Sequence, residues 1–402
     1  MLKKLMNMDK QLLTNYLLVW GLVAVSGFPF FYSTQAFIML LLAITFFIFL
    51  KRSYPFDFRF FTIYGAFLLV EALQVFVVKP FEPQIMAGTF MRMFLAFLVV
   101  DICKKKFVNY YVDIMSVLII ISFIFFFPSY FFPSFNNFFI NNICPFFTAP
   151  GERIEFYSRP QPTIIIFAFD SAIPEFRNAG PFWEQGAFAI FILFGMIFNL
   201  TIEKSLWTKR SLIFSLGLLT TLSTSGYIAF FILVGSYYVI NESFLRRMIF
   251  IIISVPLAFF LYFNLEFLNA KIENNIEIAA EDNTSRFGSG LSDLKDWAKS
   301  PYVGWGRGSM RYGGRKFAFF TVEQHRNNGL SGLLCTYGIF MFIFFFYMYY
   351  KSMRAACIES SLNTSFALFG LIVVLLCGFS QTIFQYPFFF AFLYVHLPYK
   401  FN

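Results

Sequence analysis

The residues best suited to chemistry lie in two polar blocks, 129–185 and 265–327, that interrupt an otherwise apolar chain. The first closes with Arg177-Asn178-Ala179-Gly180-Pro181-Phe182-Trp183-Glu184, and before that carries Arg153 and Arg159. The second holds Ser285-Arg286, Trp297, Pro301, Gly304-Trp305-Gly306-Arg307-Gly308, Arg311 and His325. Arginine's planar fork suits a phosphate or diphosphate whose charge rises as it departs. A histidine at the edge of an apolar run could take a proton from a hydroxyl, or as imidazolium steady a phosphate; it could equally be a hydrogen-bonded anchor. Together these residues point to chemistry on a lipid-linked, anionic substrate at a membrane surface.

The elements that must position them are membrane spans. Of 402 residues 58% are hydrophobic and only 13% charged, with 65 Phe, more apolar surface than a water-soluble fold of this length could bury. The expected fold is all-α: one integral membrane domain over 1–402, polytopic, with about 12 transmembrane helices and two large outer loops at 129–185 and 265–327. Apolar runs fall near 12–31, 34–50, 60–78, 84–102, 111–128, 186–202, 211–225, 226–241, 248–264, 328–350, 364–383 and 385–399. The basic start Met1–Lys10 precedes a run with no Ala-x-Ala-type exit, which reads as an uncleaved first span.

Charge sets the orientation. With the N-terminus inside, the inner turns receive Lys51-Arg52, Lys104-Lys105-Lys106, Lys204, Lys209-Arg210, Arg246-Arg247, Lys351 and Arg354, while the short outer turns hold only Lys79. Both termini then lie inside and both polar blocks outside. The net charge of +9 serves this placement, so no nucleic-acid partner is expected. Residues 211–241 are short for two full crossings, and two short spans meeting at Ser223-Thr224-Ser225-Gly226 are preferred to one. The five cysteines form no framework or metal spacing, and no phosphate-loop motif occurs; no metal or cofactor is expected.

Within the first block, the 163–169 run is too short to cross and is expected to lie on or dip into the bilayer. In the second, Leu268, Ile272, Ile276 and Ala279 recur at helical spacing, and Leu291, Leu294 and Trp297 mark a short helix preceded by Gly288 and Gly290. From 299 to 326 Lys299, Arg307, Arg311, Arg315, Lys316 and Arg326 face one acid, Glu323. For Arg311, Arg315 and Lys316, solvated charge or lipid-headgroup contact stands beside a ligand role. Arg177 and Arg286, each beside Gly and aromatic residues at a membrane mouth, are favoured as ligands. Glu71 and Arg92 fall inside predicted spans at similar depth and are expected to pair, either as a structural ion pair or along a substrate path. Tyr302, Trp305 and Tyr312 could stack on sugar faces or simply anchor the loop. His396, at the inner end of the last run, reads as structural.

The stretch Arg177-x-x-Gly180-x-Phe182-x-Glu184 entering a span is similar to a motif of bacterial O-antigen polymerases (Wzy) and O-antigen ligases. So is the order Ser285-Arg286, Trp297, Pro301, Gly304-x-Gly306-x-Gly308, His325 and Gly338-Ile339. The resemblance covers roughly 177–345 and the many-span, two-loop layout. It departs where Arg326 separates His325 from Asn327, and where Ser223-Thr224-Ser225-Gly226 lacks the arginine of a Ser-Arg-Ser-Gly-like turn. The resemblance implies a metal-independent membrane C-type glycosyltransferase of the bacterial inner membrane, with its active site facing the periplasm. Its donor and acceptor would be undecaprenyl-diphosphate-linked oligosaccharides, with a chain-length regulator and a flippase as possible partners beside membrane lipids. His325, Arg286, Arg177 and Glu184 are then the expected catalytic set. Arg159, Arg153, Arg92, Arg307, Arg311, Tyr302 and Trp305 are the expected substrate contacts. An O-antigen ligase, or a lipid-linked oligosaccharide flippase of a different class, are the alternatives.

Overall fold

The computed structural model describes residues 9–32, 34–52, 55–77, 82–147, 162–169, 177–249, 252, 286–307 and 327–399. In chain order the first half forms α1 (Lys10–Gly27), α2 (Pro29–Tyr32), α3 (Gln35–Lys51), α4 (Arg59–Val77), α5 (Pro83–Cys103), α6 (Phe107–Phe131) and α7 (Pro133–Phe138). A two-stranded hairpin follows, β1 (Thr163–Ile164) and β2 (Phe167–Ala168). Then come α8 (Gln185–Glu203), α9 (Lys209–Thr220), α10 (Thr224–Asn241), α11 (Arg286–Trp297), α12 (Gly329–Glu359), α13 (Phe366–Ser380) and α14 (Pro387–Ala391).

The protein is a helical, membrane-embedded chain. Among the described residues five helical stretches are long and apolar enough to cross a bilayer: α4, the 83–131 stretch that holds α5 and α6, α8, α10 and α12; α3 and α13 are shorter apolar helices. Local chemistry sets their ends. Pro29, Pro83, Pro133 and Pro387 open helices, where a missing N–H costs nothing. Asp9 and Thr208 cap α1 and α9, accepting from the Gln11 and Ser211 N–H groups at 3.2 Å each. The 83–131 stretch breaks at Lys104, where φ is +50° and a 3₁₀ turn over Lys104–Lys106 separates α5 from α6.

Two compact units divide the chain. The first comprises 1–57, 91–227 and 386–402, the second 58–90 and 228–385. Within the first unit, the Tyr111 hydroxyl donates to the Phe191 carbonyl at 2.6 Å, tying α6 to α8. Asn199 donates to Ser211 at 2.9 Å, tying α8 to α9. Arg210 reaches Asp113 at 2.9 Å, and Asp113 also accepts from the Tyr16 hydroxyl at 2.6 Å, so α1, α6 and α9 share one polar clamp.

Three features differ from the pattern of apolar runs, each for a local reason. Residues 211–241 form the two helices of the preferred reading, but these part at Thr221–Ser223, with Leu222 at φ +48°, rather than at Ser223–Gly226, and Thr224 opens the second helix. At 1.5 Å per residue the 12-residue α9 is about 18 Å long, shorter than a hydrocarbon core. The 385–399 run is α-helical only over α14 and continues in tight turns, among them Leu393 N–H to Phe390 O and Tyr399 N–H to His396 O. Rings rather than a helical ladder hold it: Phe388 and Phe389 lie against Phe191 at 4.9 and 5.2 Å, and Phe392 stacks on Phe198 at 5.4 Å. Finally, the 163–169 run is folded back as the β1–β2 hairpin. Its Ile164, Phe167 and Phe169 are buried with Cys144 and Phe126, and Phe125 stacks on Phe167.

Candidate functional site

In the first unit the site is the return of the polar block into α8. Asn178 is fully buried and uses its whole amide. Its Nδ2 donates to Ser122 Oγ and Thr220 Oγ1, both at 2.9 Å, and its Oδ1 accepts the Gly180 N–H at 2.9 Å. Its backbone N–H is held by the Thr220 carbonyl at 3.0 Å, and the Gly180 carbonyl accepts from Ala168 at 2.7 Å. Gly180 has φ +55°, and a Cβ there would meet the Phe188 ring at 2.8 Å, so the turn admits glycine and little else. Phe182 then inserts between Phe28 and Phe191 at 5.3 and 4.3 Å.

Arg177, half-buried, directly precedes this clamp, which ties its neighbour Asn178 to Thr220 at the end of α9, just before the α9–α10 break. The break is polar: Ser223 Oγ lies 3.4 Å from Ser225 Oγ and accepts the Gly226 N–H at 3.2 Å. Gly226 in turn packs against Ala189 of α8. Glu184 occupies the N-cap position of α8 in extended geometry.

In the second unit Arg286 opens the described part of α11, which is docked on the start of α12. Asn328 does this twice over. Its Oδ1 caps α12 by accepting from Leu330 and Ser331 at 3.1 and 3.0 Å, and its Nδ2 donates to the Arg286 carbonyl at 3.3 Å. Ser331 Oγ donates to the buried Asp293 at 2.7 Å, and the Asn327 N–H reaches Ser289 at 3.3 Å. Gly288 and Gly290, expected before this helix, lie inside it. A Cβ on Gly290 would sit 3.1 Å from the Asn328 amide, so glycine permits the close approach.

Between α11 and α12 the segment 301–307 packs into a break in α12. Gly338 takes φ +73°, ψ 177°, conformational space open essentially to glycine alone, and the helical ladder opens there. Ile339 donates to Pro301 O at 2.9 Å instead of to its own helix. The released carbonyls of Cys335 and Thr336 accept from Trp305 and Gly306, each at 2.9 Å. Gly304 and Gly306 have φ +69° and +71°, and a side chain on Gly304 would strike the Thr336 backbone. Gln74 of α4 closes the arrangement, donating to Val303 O at 2.6 Å and Thr336 O at 2.7 Å. Arg307 follows directly. Its Nη1 reaches Thr89 Oγ1 at 3.3 Å, and its guanidinium lies over the Tyr337 ring, 5.9 Å from the centroid.

The other expected residues fare differently. Arg153, Arg159, Arg311, His325, Arg315, Lys316 and Tyr312 lie outside the described residues, as does the 268–279 helix. Glu71 is 1% exposed in α4 and Arg92 half-buried in α5; they fall in different units. Trp305 donates its indole N–H to Asp296 O at 2.8 Å and Trp297 to Pro301 O at 3.0 Å, which makes both loop anchors. Tyr302 is 64% exposed and stacks on the exposed Phe340. His396 is buried beside α14. Asn178, Gln74, Asp293 and Ser331 were not singled out in the sequence. Gln74 had a signal, an uncharged polar side chain inside an apolar run, and Asn178 had one too, its place beside Arg177.

Both arrangements do the same thing chemically: a buried amide fixes irregular backbone that carries an arginine. Such pre-set cations can stabilise charge as it develops without reorganising. Among the described residues no three His, Cys, Asp or Glu side chains converge as a metal site requires. The chain matches no model of a known protein family and no curated protein sequence.

Proposed function

We propose that the protein is an inner-membrane polysaccharide polymerase of the O-antigen type, a glycosyltransferase using undecaprenyl-diphosphate-linked glycans as donor and acceptor. In this reading the apolar helices sit in the bacterial inner membrane, both termini are cytoplasmic and both polar blocks are periplasmic. The acceptor sugar hydroxyl attacks the anomeric carbon of the donor. The bond from that carbon to the diphosphate oxygen breaks, its electron pair leaves with undecaprenyl diphosphate, and the acceptor proton passes to His325 or Glu184. Arg177 and Arg286 offset the charge on the departing diphosphate, with Arg307, Arg92, Arg153, Arg159 and Arg311 as further contacts.

The observation that carries the reading is Arg177. It directly precedes Asn178, whose buried amide and backbone N–H are tied to Thr220 at the end of α9, next to the polar break before α10. The motif resemblance around it and around Arg286 adds the substrate class. Purified protein given lipid-linked repeat units, without nucleotide sugar, should yield a ladder of longer lipid-linked glycans and release undecaprenyl diphosphate. Glycosylation of added lipid A core in place of a ladder would make it a ligase. A second reading, a lipid-linked oligosaccharide flippase, is favoured by Glu71, a buried acid at span depth in α4, since such groups often line transport paths. Reconstituted vesicles that move the lipid without forming a glycosidic bond would select it.

A further inference from the structure

We propose that Gln74 is the positioning residue of a membrane-depth anion site built on Arg307, and that this site takes the diphosphate of an isoprenoid lipid. The proposal deepens the polymerase reading and rests on its assignment of Arg307 as a diphosphate contact.

Thr336 lies seven residues inside α12, about 10 Å along the axis from the helix start. Irregular backbone at such depth persists only where protein satisfies its polar groups. Here they are satisfied by exchange: Trp305 and Gly306 bond the carbonyls that the Gly338 break releases, and Ile339 bonds Pro301 O. Gln74 spends both amide hydrogens on this joint, one on Val303 of the inserted segment and one on Thr336 of the broken helix. Its side chain is completely buried, and its Oε1 has no hydrogen-bond partner. An unsatisfied buried acceptor costs stability that an apolar residue of the same size would not. What Gln74 supplies in return is the placement of Gly306, and hence of the next residue, Arg307. The cation is received by Thr89 Oγ1 and the Tyr337 ring, both on buried residues of the same unit. A guanidinium set at that depth suits an anion that arrives with its own membrane tail, because a soluble anion would have to leave water to reach it.

The test uses the full chain in phosphatidylcholine nanodiscs, titrated with farnesyl diphosphate, inorganic pyrophosphate and farnesol. Variants are Gln74→Met, Arg307→Ala and their combination, with Gln74→Glu as a second removal of the paired donors should Gln74→Met fail to fold. Saturable binding of farnesyl diphosphate is expected, with far weaker binding of the other two probes. Gln74→Met or Gln74→Glu should weaken it about tenfold, and should cause no further loss once Arg307 is alanine, since residues acting through one group are not additive. Losses that multiply, unchanged affinity in the Gln74 variants, or no binding by the wild type would each overturn the proposal. Pyrophosphate binding as tight as farnesyl diphosphate would overturn its lipid part. This readout needs no glycan transfer: coupling with a silent ladder assay leaves the anion site standing without the polymerase. A ladder without coupling does the reverse.

Discussion

The Trp305 N–H donates at 2.9 Å to the Cys335 carbonyl, the acceptor that an unbroken α12 would give to Ile339. One hydrogen bond of a spanning helix has thus been traded for one with an inserted segment, and Ile339 takes Pro301 in return. The trade depends on Gly338, whose φ of +73° an L side chain rarely adopts and whose missing Cβ lets the Tyr302 carbonyl approach.

Gly338→Ala should therefore cost at least about 1–3 kcal/mol, the strain of a non-glycine residue in such a region. Thermal unfolding in detergent would read it. A melting temperature within a degree of wild type would mean that the break is not required.

Asn178→Ala removes three side-chain hydrogen bonds and leaves the Gly180 N–H without its acceptor. A loss of about 2–4 kcal/mol is expected from the buried groups left unpaired. Asn178→Asp separates the parts of this cost. It keeps the acceptor for Gly180 but cannot donate to Ser122 and Thr220, so its stability should fall between the two; Asp as stable as Asn would show that those donors contribute nothing.

Arg210→Ala provides the contrast. Its pair with Asp113 is at 2.9 Å, yet both side chains are about one-third exposed. Solvent screening limits such a pair to about 0–1 kcal/mol, and the residue is remote in sequence from every expected catalytic group. Near-wild-type stability and chain extension are predicted, to be checked by the same melting and ladder measurements.

How much of this was legible in the sequence depends on the kind of signal. Membrane class and most helix positions followed from apolar runs, because burial in lipid leaves a composition that survives any detail of packing. The division of 211–241 into two helices was legible in the polar stretch Ser223-Thr224-Ser225-Gly226, but its exact place was not, because Thr224–Gly226 continue into the second helix. The α14 segment was not, because an apolar run looks the same whether its rings face lipid or other rings, and Phe388 and Phe392 face other rings. At the sites, charge drew the eye to Arg177, Arg286 and Arg307. The neutral amides that fix two of them, Asn178 and Gln74, carry no periodicity or charge, and for Trp305 the sequence left sugar stacking and loop anchoring open, of which the indole N–H on Asp296 O supplies the anchor.

Arg286→Ala and His325→Ala should leave the protein inserted in the membrane and abolish chain extension, on the proposed function. Membrane fractionation and the polymer ladder are read together. Wild-type chain lengths in both variants would sink the assignment of these residues, while loss of the inserted protein in Arg286→Ala would assign its role to the α11–α12 joint instead.

Orientation can be tested with the protein's own cysteines as a quiet background. All five are buried, and burial holds the Cys144 thiol well above its ordinary range, at about 11. Because the thiolate is the reactive form, Cys144 should label negligibly at neutral pH and gain reactivity only as pH climbs toward that value. New cysteines at two exposed positions then report sidedness: Phe146→Cys, 81% exposed in the first polar block, and Trp207→Cys, 77% exposed between α8 and α9. The positive-inside bias places the first outside and the second inside. In intact cells an impermeant maleimide should therefore label Phe146→Cys alone, and Trp207→Cys should label only after permeabilisation. The opposite pattern would invert the topology and, on the proposed function, move Arg177 away from the side where lipid-linked glycans would be joined.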